Sequence, residues 1–261
     1  MQMPDNPFTH ALARRHKQIG LWISLCSPFA AEITAPSGFD WALIDMEHSP
    51  NDYFTVLGQL QAFANSGTTA IVRPEWNDMV MVKRLLDLGV QGLLFPMIQS
   101  VAEAEAAVAA TRYPPRGVRG VSGATRANKF GRVTDYFERV EQETSVLLQI
   151  ESAAALAQAV AIGTVDGVDG IFFGPADIAA DIGLLGQPMH PDVWALIRPA
   201  AEQLMARGVP VGTLVQDPAF AAELFASGFT FVACGSDAGL LTRASDSLLA
   251  TMRNSLAGQS E

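Results

Sequence analysis

The chain has 261 residues, enough to bury one sizeable core and long enough for a single large α/β barrel. Its 17 Lys and Arg against 27 Asp and Glu leave a formal net charge of −10, which excludes the clustered cations that a nucleic-acid partner demands. A hydrophobic content of 49% with 17% charged residues likewise excludes an intrinsically disordered chain.

The opening MQMPDNPFTHALARRHKQIG lacks the apolar centre of a secretory signal, and no segment reaches the roughly 18 uninterrupted apolar residues of a membrane span. The cytoplasm is the expected compartment. From there, short β-rich runs recur: QIGLWISLC (18–26), DWALIDM (40–46), TTAIVR (68–73), GLLFPM (92–97), VLLQIE (146–151), GIFFG (170–174), VPVGTLV (209–215) and FTFVACG (229–235). Helix-like segments lie between them, among them PFAAEITAPSG, YFTVLGQLQAFANSG, DMVMVKRLLDLG, SVAEAEAAVAATR, AAALAQAVAIG and PAFAAELFASG, each with Gly or a basic residue at its close. Continuous apolar strands alternating with helices imply parallel strands covered on the outside. Eight such units in about 250 residues predict a single-domain (β/α)₈ TIM barrel over residues 1–261. Two stretches break the rhythm, 113–144 and 175–192; read as strand-following loops, both are expected on the C-terminal face, where barrel enzymes build their sites.

With the strands so placed, their C-terminal ends converge on one mouth. Strand 1 brings Trp22, strand 2 brings Asp45, Glu47 and His48, and strand 3 brings Arg73. Gln99 follows strand 4, Gln149 and Glu151 end strand 5, and Asp177 follows strand 6. No lysine ends a strand: Lys17 precedes strand 1, Lys83 lies in a helix and Lys129 in a long loop, so a Schiff-base mechanism lacks a rigidly held amine. Cys26 and Cys234 have no CxxC or Cys/His spacing, which argues against a disulfide framework or a zinc site.

Glu151 and Asp177, on neighbouring strand ends, are placed to share a hard divalent cation, with the remaining octahedral positions left for water and a chelating substrate. A helix N-terminal carboxylate remains the alternative for each. His48, three residues after Asp45, is a candidate base whose tautomer Asp45 or Glu47 would fix. Arg73 is a candidate oxyanion partner, or an ion-pair partner of Asp45 or Glu47. Gly117, Gly120 and Gly123 do not form GxGxxG, and no phosphate-binding loop occurs.

In order along the chain, DWALIDMEHSPND, VRPEWND, RYPPRGVRG, LLQIES and VDGIFFGPADIAADIG resemble the HpcH/HpaI aldolases, class II enzymes related to 4-hydroxy-2-oxoheptanedioate aldolase and to 2-keto-3-deoxy sugar-acid aldolases. The resemblance covers about Gln18 to Leu249 and implies a barrel of the phosphoenolpyruvate/pyruvate type that binds Mg²⁺, Mn²⁺ or Co²⁺ through Glu151 and Asp177. It implies that Arg73 meets the oxygen of the pyruvate carbonyl and that His48 with Asp45 handles the proton of the scissile hydroxyl. The turn Gly174-Pro175-Ala176-Asp177 would seat the carboxylate, and Gln149, Trp22 and Leu214 would line the pocket. Asp87 would serve a neighbouring subunit's site in a homo-oligomer, a hexamer built on trimers. The implied reaction is reversible aldol cleavage of a 4-hydroxy-2-oxo acid to pyruvate, or hydroxypyruvate, and an aldehyde. Two alternatives stay open: an acyl-CoA lyase using Arg116, Arg119, Arg126 and Arg132 as a phosphate patch, and an oxo-acid binder without turnover.

Overall fold

In the computed structural model, which describes residues 1–258, eight parallel strands close into a barrel in sequence order. They are β1 Gln18–Ile23, β2 Trp41–Asp45, β3 Thr69–Arg73, β4 Gly92–Phe95, β5 Ser145–Ile150, β6 Gly170–Phe173, β7 Val211–Leu214 and β8 Phe231–Ser236. The helices are α1 Pro7–Ala13, α2 Pro28–Thr34, α3 Tyr53–Phe63, α4 Met79–Asp87, α5 Val101–Thr111, α6 Tyr136–Arg139, α7 Ala153–Leu156, α8 Ala159–Gly163, α9 Pro175–Asp181, α10 Pro191–Ala206, α11 Pro218–Ala226 and α12 Asp237–Ala257.

Side chains alternate along each strand, and the alternation sorts the barrel into layers. Trp41 and Leu43 of β2, Ile71 of β3, Leu94 of β4, Leu147 of β5, Phe172 of β6 and Phe231 of β8 fill the interior. Ile44, Val72, Leu93, Leu148 and Phe173, one position along, face the helices. Gly20 in β1 is required by packing: a Cβ there would lie 2.2 Å from the Trp41 ring. Among the described residues no helix is long and apolar enough to cross a membrane.

An N-terminal plug closes the lower end of the barrel. Asn6 caps α1 through Oδ1, which accepts from the Phe8 and Thr9 amides, and its Nδ2 donates to the carbonyls of Gln91 and Glu143. Held this way, α1 inserts Phe8 between Trp41 and Phe231, with ring centroids 5.8 and 6.1 Å away.

One expectation about the loops is overturned. Segment 113–144 follows α5, not a strand, and leads into the start of β5, so it lies at the N-terminal end of the barrel. The amide of Thr134 donates to Met1, that of Ala127 to Asp87 and that of Ser145 to Gln91, all on that side. Segment 175–192 does follow β6, and its first half is α9. The helix beyond it, α10, contains Pro199, which removes one amide donor and disguises a 16-residue helix as two pieces. The long α12 is anchored by Asp237, whose carboxylate accepts from Ser24 and from the Leu25 amide, whereas Leu241, Leu248, Leu249, Met252 and Leu256 are exposed.

Because the plug and the mouth are at opposite ends, Phe8→Ala is expected to lower unfolding stability by about 3–5 kcal/mol while leaving kcat/KM of the folded fraction unchanged. Urea melts and initial rates on the same samples check both halves.

Candidate active site

Above the apolar layers sits a polar layer produced by the same two-residue alternation. Continuing inward from Trp41 and Leu43, β2 places Asp45 in the barrel and Glu47 just beyond it; β3 continues from Ile71 to Arg73, and β5 from Leu147 to Gln149 and Glu151. Trp22 is the floor between the two regimes. Its ring lies 5.6 Å from Phe172 below and 5.0 Å from the Arg73 guanidinium above, and its Nε1 donates to Asp45 Oδ2 at 3.2 Å.

Arg73 and Asp45 form a two-pronged pair. Nε donates to Asp45 Oδ1 at 2.8 Å and Nη2 to Oδ2 at 2.7 Å, with both side chains buried. Burial pushes the Asp45 carboxyl up, but the hydrogen bonds and charge of Arg73 outweigh it and hold the group below its ordinary range. Burial opposes the Arg73 cation as well, and Asp45 more than compensates, so the guanidinium stays charged. The third nitrogen, Nη1, lies 2.8 Å from Glu47 Oε2 in an ion pair without hydrogen-bond alignment and 3.5 Å from Gln149 Oε1. Burial raises the Glu47 carboxyl, with Arg73 and His48 pulling the other way.

Across the mouth, Glu151 is buried and accepts from the Met97 amide at 2.9 Å, a residue held in the left-handed region at φ 52°. Burial pushes the Glu151 carboxyl up to about 8, opposed by the Met97 amide and reinforced by a hydrogen bond with the Asp177 carboxyl. The two acids therefore do meet. Gly174 makes room for Glu151 and Gln149, since a Cβ there would stand 2.8 Å from Glu151 Oε2 and 3.2 Å from Gln149 Nε2. Asp177 lies in the first turn of α9, where Pro175 has no amide hydrogen and the Gly174 amide is spent on Ile150, so Ala176 and Asp177 carry the unused first-turn donors. Among the described residues no group of three or more His, Cys, Asp or Glu side chains is placed to hold a metal. A buried Glu151 carboxyl beside an exposed Asp177 carboxyl is nonetheless a fitting seat for a hard cation that keeps water or substrate oxygens on its other faces.

His48 is placed differently from the expectation that Asp45 would orient it. Both Asp45 oxygens are occupied by Arg73, Trp22 and the Glu47 amide, and the nearest carboxylate to the imidazole is Glu47, 3.9 Å from Nε2. The imidazole is two-thirds exposed, at the rim of the mouth. Leu214, at the end of β7, packs against the Trp22 layer. Gln99 turns away to accept from Ser152.

Asp87 ends α4 at the opposite end of its own barrel, and its carboxylate accepts from Arg119 Nη2 at 2.9 Å. Arg119 is itself buried, stacked 4.6 Å over Tyr113 and bonded to the Tyr136 hydroxyl. That pairing joins residues 32 positions apart through an irregular loop, so no local pattern announces it. The four loop arginines do not form a patch at the mouth: Arg116 pairs with Glu141, Arg126 with the Leu88 carbonyl and Arg132 with the Lys129 carbonyl.

The Glu151 environment sets a pH dependence. In the fold this carboxyl stays protonated up to about pH 8, whereas in the unfolded chain it ionises near its ordinary 4.5. Between these values the unfolded state binds fewer protons, so stability falls as pH rises through that window and levels off above it. Glu151→Gln cannot ionise and escapes the loss. In excess chelator its thermal midpoint relative to the parent is expected to climb between about pH 5 and pH 8; parallel curves would contradict the placement.

The fold agrees with that of the chain's relatives. The family described as HpcH/HpaI aldolase/citrate lyase matches residues 18–244. A pyruvate aldolase of Rhizobium etli is 53% identical over 250 residues, covering 96% of this chain and 98% of the relative. A 4-hydroxy-2-oxo-heptane-1,7-dioate aldolase of Salmonella dublin is 48% identical over 246 residues, 94% of each. Among solved structures, an HpcH/HpaI aldolase/citrate lyase family protein of Burkholderia cenocepacia superposes with a TM-score of 0.92 at 37% identity, over 95% of this chain and 99% of the other. This chain belongs to the HpcH/HpaI aldolase/citrate lyase family, as an enzyme of the aldolase and lyase class.

Proposed function

We propose that the chain catalyses the reversible aldol cleavage of a 4-hydroxy-2-oxo acid to pyruvate, or hydroxypyruvate, and an aldehyde. The observation that carries this reading is the hydrogen-bond contact of the buried Glu151 carboxyl with the exposed Asp177 carboxyl, across the mouth from a charged Arg73. When bound there, a divalent cation such as Mg²⁺, Mn²⁺ or Co²⁺ supplies Lewis-acid neutralisation of the substrate's carboxylate and 2-oxo oxygens.

Everything else falls to the chain's own groups. The Ala176 and Asp177 amides seat the substrate carboxylate at the start of α9. Arg73, fixed by Asp45 on two of its nitrogens, turns Nη1 to the 2-oxo oxygen as negative charge grows there. His48, with Glu47 beside it, takes the proton of the C4 hydroxyl, the C3–C4 bond breaks toward the enolate, the aldehyde leaves through the open rim, and the proton returns to C3 of the enolate to give pyruvate. Trp22, Gln149 and Leu214 close the floor and wall. Support for an acyl-CoA lyase is weaker, because the arginines that would hold CoA phosphates lie at the other end of the barrel.

A shared site completes the reading. Asp87 cannot approach its own mouth, and the exposed leucines of α12 favour association, which supports a homo-oligomer, a hexamer built on trimers, in which Asp87 serves a neighbour.

Lactate-dehydrogenase-coupled detection of pyruvate from a 4-hydroxy-2-oxo acid tests the chemistry. Turnover should vanish in excess chelator and in Glu151→Ala or Asp177→Ala, and return for the parent on adding Mg²⁺, Mn²⁺ or Co²⁺. Arg73→Ala should lower kcat/KM by about 3–4 kcal/mol of transition-state stabilisation, the scale of a lost oxyanion donor; full turnover in chelator, or an unchanged Arg73→Ala, would reject the assignment.

Sharing is tested by mixing. If Asp87 serves the adjacent subunit, re-assembling equal amounts of inactive His48→Ala and inactive Asp87→Ala chains should rebuild about one intact site in four. No recovery from mixed oligomers would confine each site to one chain.

A further inference from the structure

We infer that Asn51 is a positioning residue for His48, holding the turn that carries the imidazole to the mouth; this rests on the reading of His48 as the group that takes the C4 hydroxyl proton. The imidazole itself is two-thirds exposed and, among the described residues, has only Glu47 as an ion-pair neighbour, at 3.9 Å, so its place is set by its backbone and not by side-chain partners. That backbone is the short turn from Asp45 to Asn51, and it is tied down at its root. The Met46 amide donates to the Arg73 carbonyl at 3.0 Å, and the Asp45 carbonyl accepts from both Ser49 Oγ and Asn51 Nδ2, the latter at 2.6 Å.

Asn51 is buried, and all four of its hydrogen-bonding positions are used. Nδ2 donates to the Asp45 carbonyl and to Ser49 Oγ at 3.0 Å, while Oδ1 accepts from Thr55 Oγ1 at 2.9 Å and Gln59 Nε2 at 2.7 Å. Gln59 is fully buried in α3, and its Nε2 also donates to the Thr55 carbonyl, which fixes that amide with its nitrogen toward Asn51. Asn51 in turn can present only its oxygen to the helix and only its nitrogen to the turn. A buried amide chain therefore runs from α3 through Asn51 to the peptide that begins the His48 turn; among the described residues Gln59 Oε1 has no partner at its far end, but Asn51, the link to the turn, is fully satisfied and held from both sides. Asp45 is gripped twice, at its carboxylate by Arg73 and at its carbonyl by Asn51, so the base and the oxyanion partner share one mechanical root.

A double-mutant cycle on the full-length, metal-loaded enzyme tests the inference. Asn51→Ala should lower kcat on the order of a hundredfold, as expected for a misplacement of about 1 Å, with KM for the oxo acid changed less than about twofold. Asn51→Asp keeps the acceptor for Gln59 and Thr55 but loses the Nδ2 donors, and it should not rescue. In the His48→Ala background, the Asn51→Ala loss should nearly disappear, because nothing remains to be positioned. Full multiplication of the two losses, or a wild-type kcat for Asn51→Ala, overturns the inference. If Asn51→Ala does not fold, Ser49→Ala, which removes the other donor to the Asp45 carbonyl, is carried through the same cycle with the same criteria. His48→Ala alone reports on the underlying reading: wild-type turnover in that single variant overturns the role of His48 itself, separately from the role of Asn51.

Discussion

The Arg73–Asp45 pair is the constraint on which the rest of the mouth depends. Two charges buried above an aromatic floor are tolerable only when each satisfies the other with aligned hydrogen bonds. Here the fork is met at 2.7 and 2.8 Å, and Trp22 and the Glu47 amide take up remaining acceptor positions on Asp45. The energetic consequence is asymmetric. Removing either partner leaves a buried uncompensated charge, so these positions resist change more than their individual contacts indicate. The structural consequence is that the strand-end cation Arg73 has a fixed orientation before any substrate arrives.

Fixing Arg73 through Asp45 also divides the carboxylates by task. Asp45 is spent on orientation, which leaves Glu47 beside His48 and leaves Glu151 to meet Asp177. The imidazole, freed from Asp45, stands exposed at the rim of the mouth. Its precision comes from the peptide it hangs on, and that peptide is held at Asp45, the same residue that holds Arg73.

Much of this was legible in the sequence because barrel strands obey a simple alternation. The eight apolar runs match the eight strands, and the inward parity of Trp41 and Leu43 carries directly to Asp45, just as Leu147 carries to Gln149 and Glu151. The pairing of Arg73 with Asp45 or Glu47 was legible as an alternative, but its precedence over an Asp45–His48 pairing was not. The partner of Asp45 is 28 residues away on the next strand, and the nearer His48, though closer in sequence, loses the competition because a guanidinium offers two aligned donors where an imidazole offers one. Segment 113–144 lies on the other face from the one expected, because the helix-like SVAEAEAAVAATR directly precedes it and so places it ahead of β5 and not behind a strand. Likewise, α1 is short, and only its Asn-Pro start marks it, while Pro199 interrupts the pattern of α10 without ending the helix.

The charge balance of the mouth points the same way as its geometry. Arg73 is consumed in neutralising Asp45 and partly offsets Glu47, so the region around Glu151 and Asp177 keeps a surplus of acid, and the fold answers by holding a proton on Glu151 up to about pH 8. An oxo acid is itself an anion, and a mouth in that state would repel it. Under the proposed chemistry, replacing the proton on Glu151 with a divalent cation would reverse the local sign beside the unused Ala176 and Asp177 amides. Binding of the anion and occupation of the acid pair are therefore coupled by electrostatics, so neither is expected to be strong without the other. The same field keeps Arg73 charged through the reaction, since each carboxylate around it raises the cost of losing its proton.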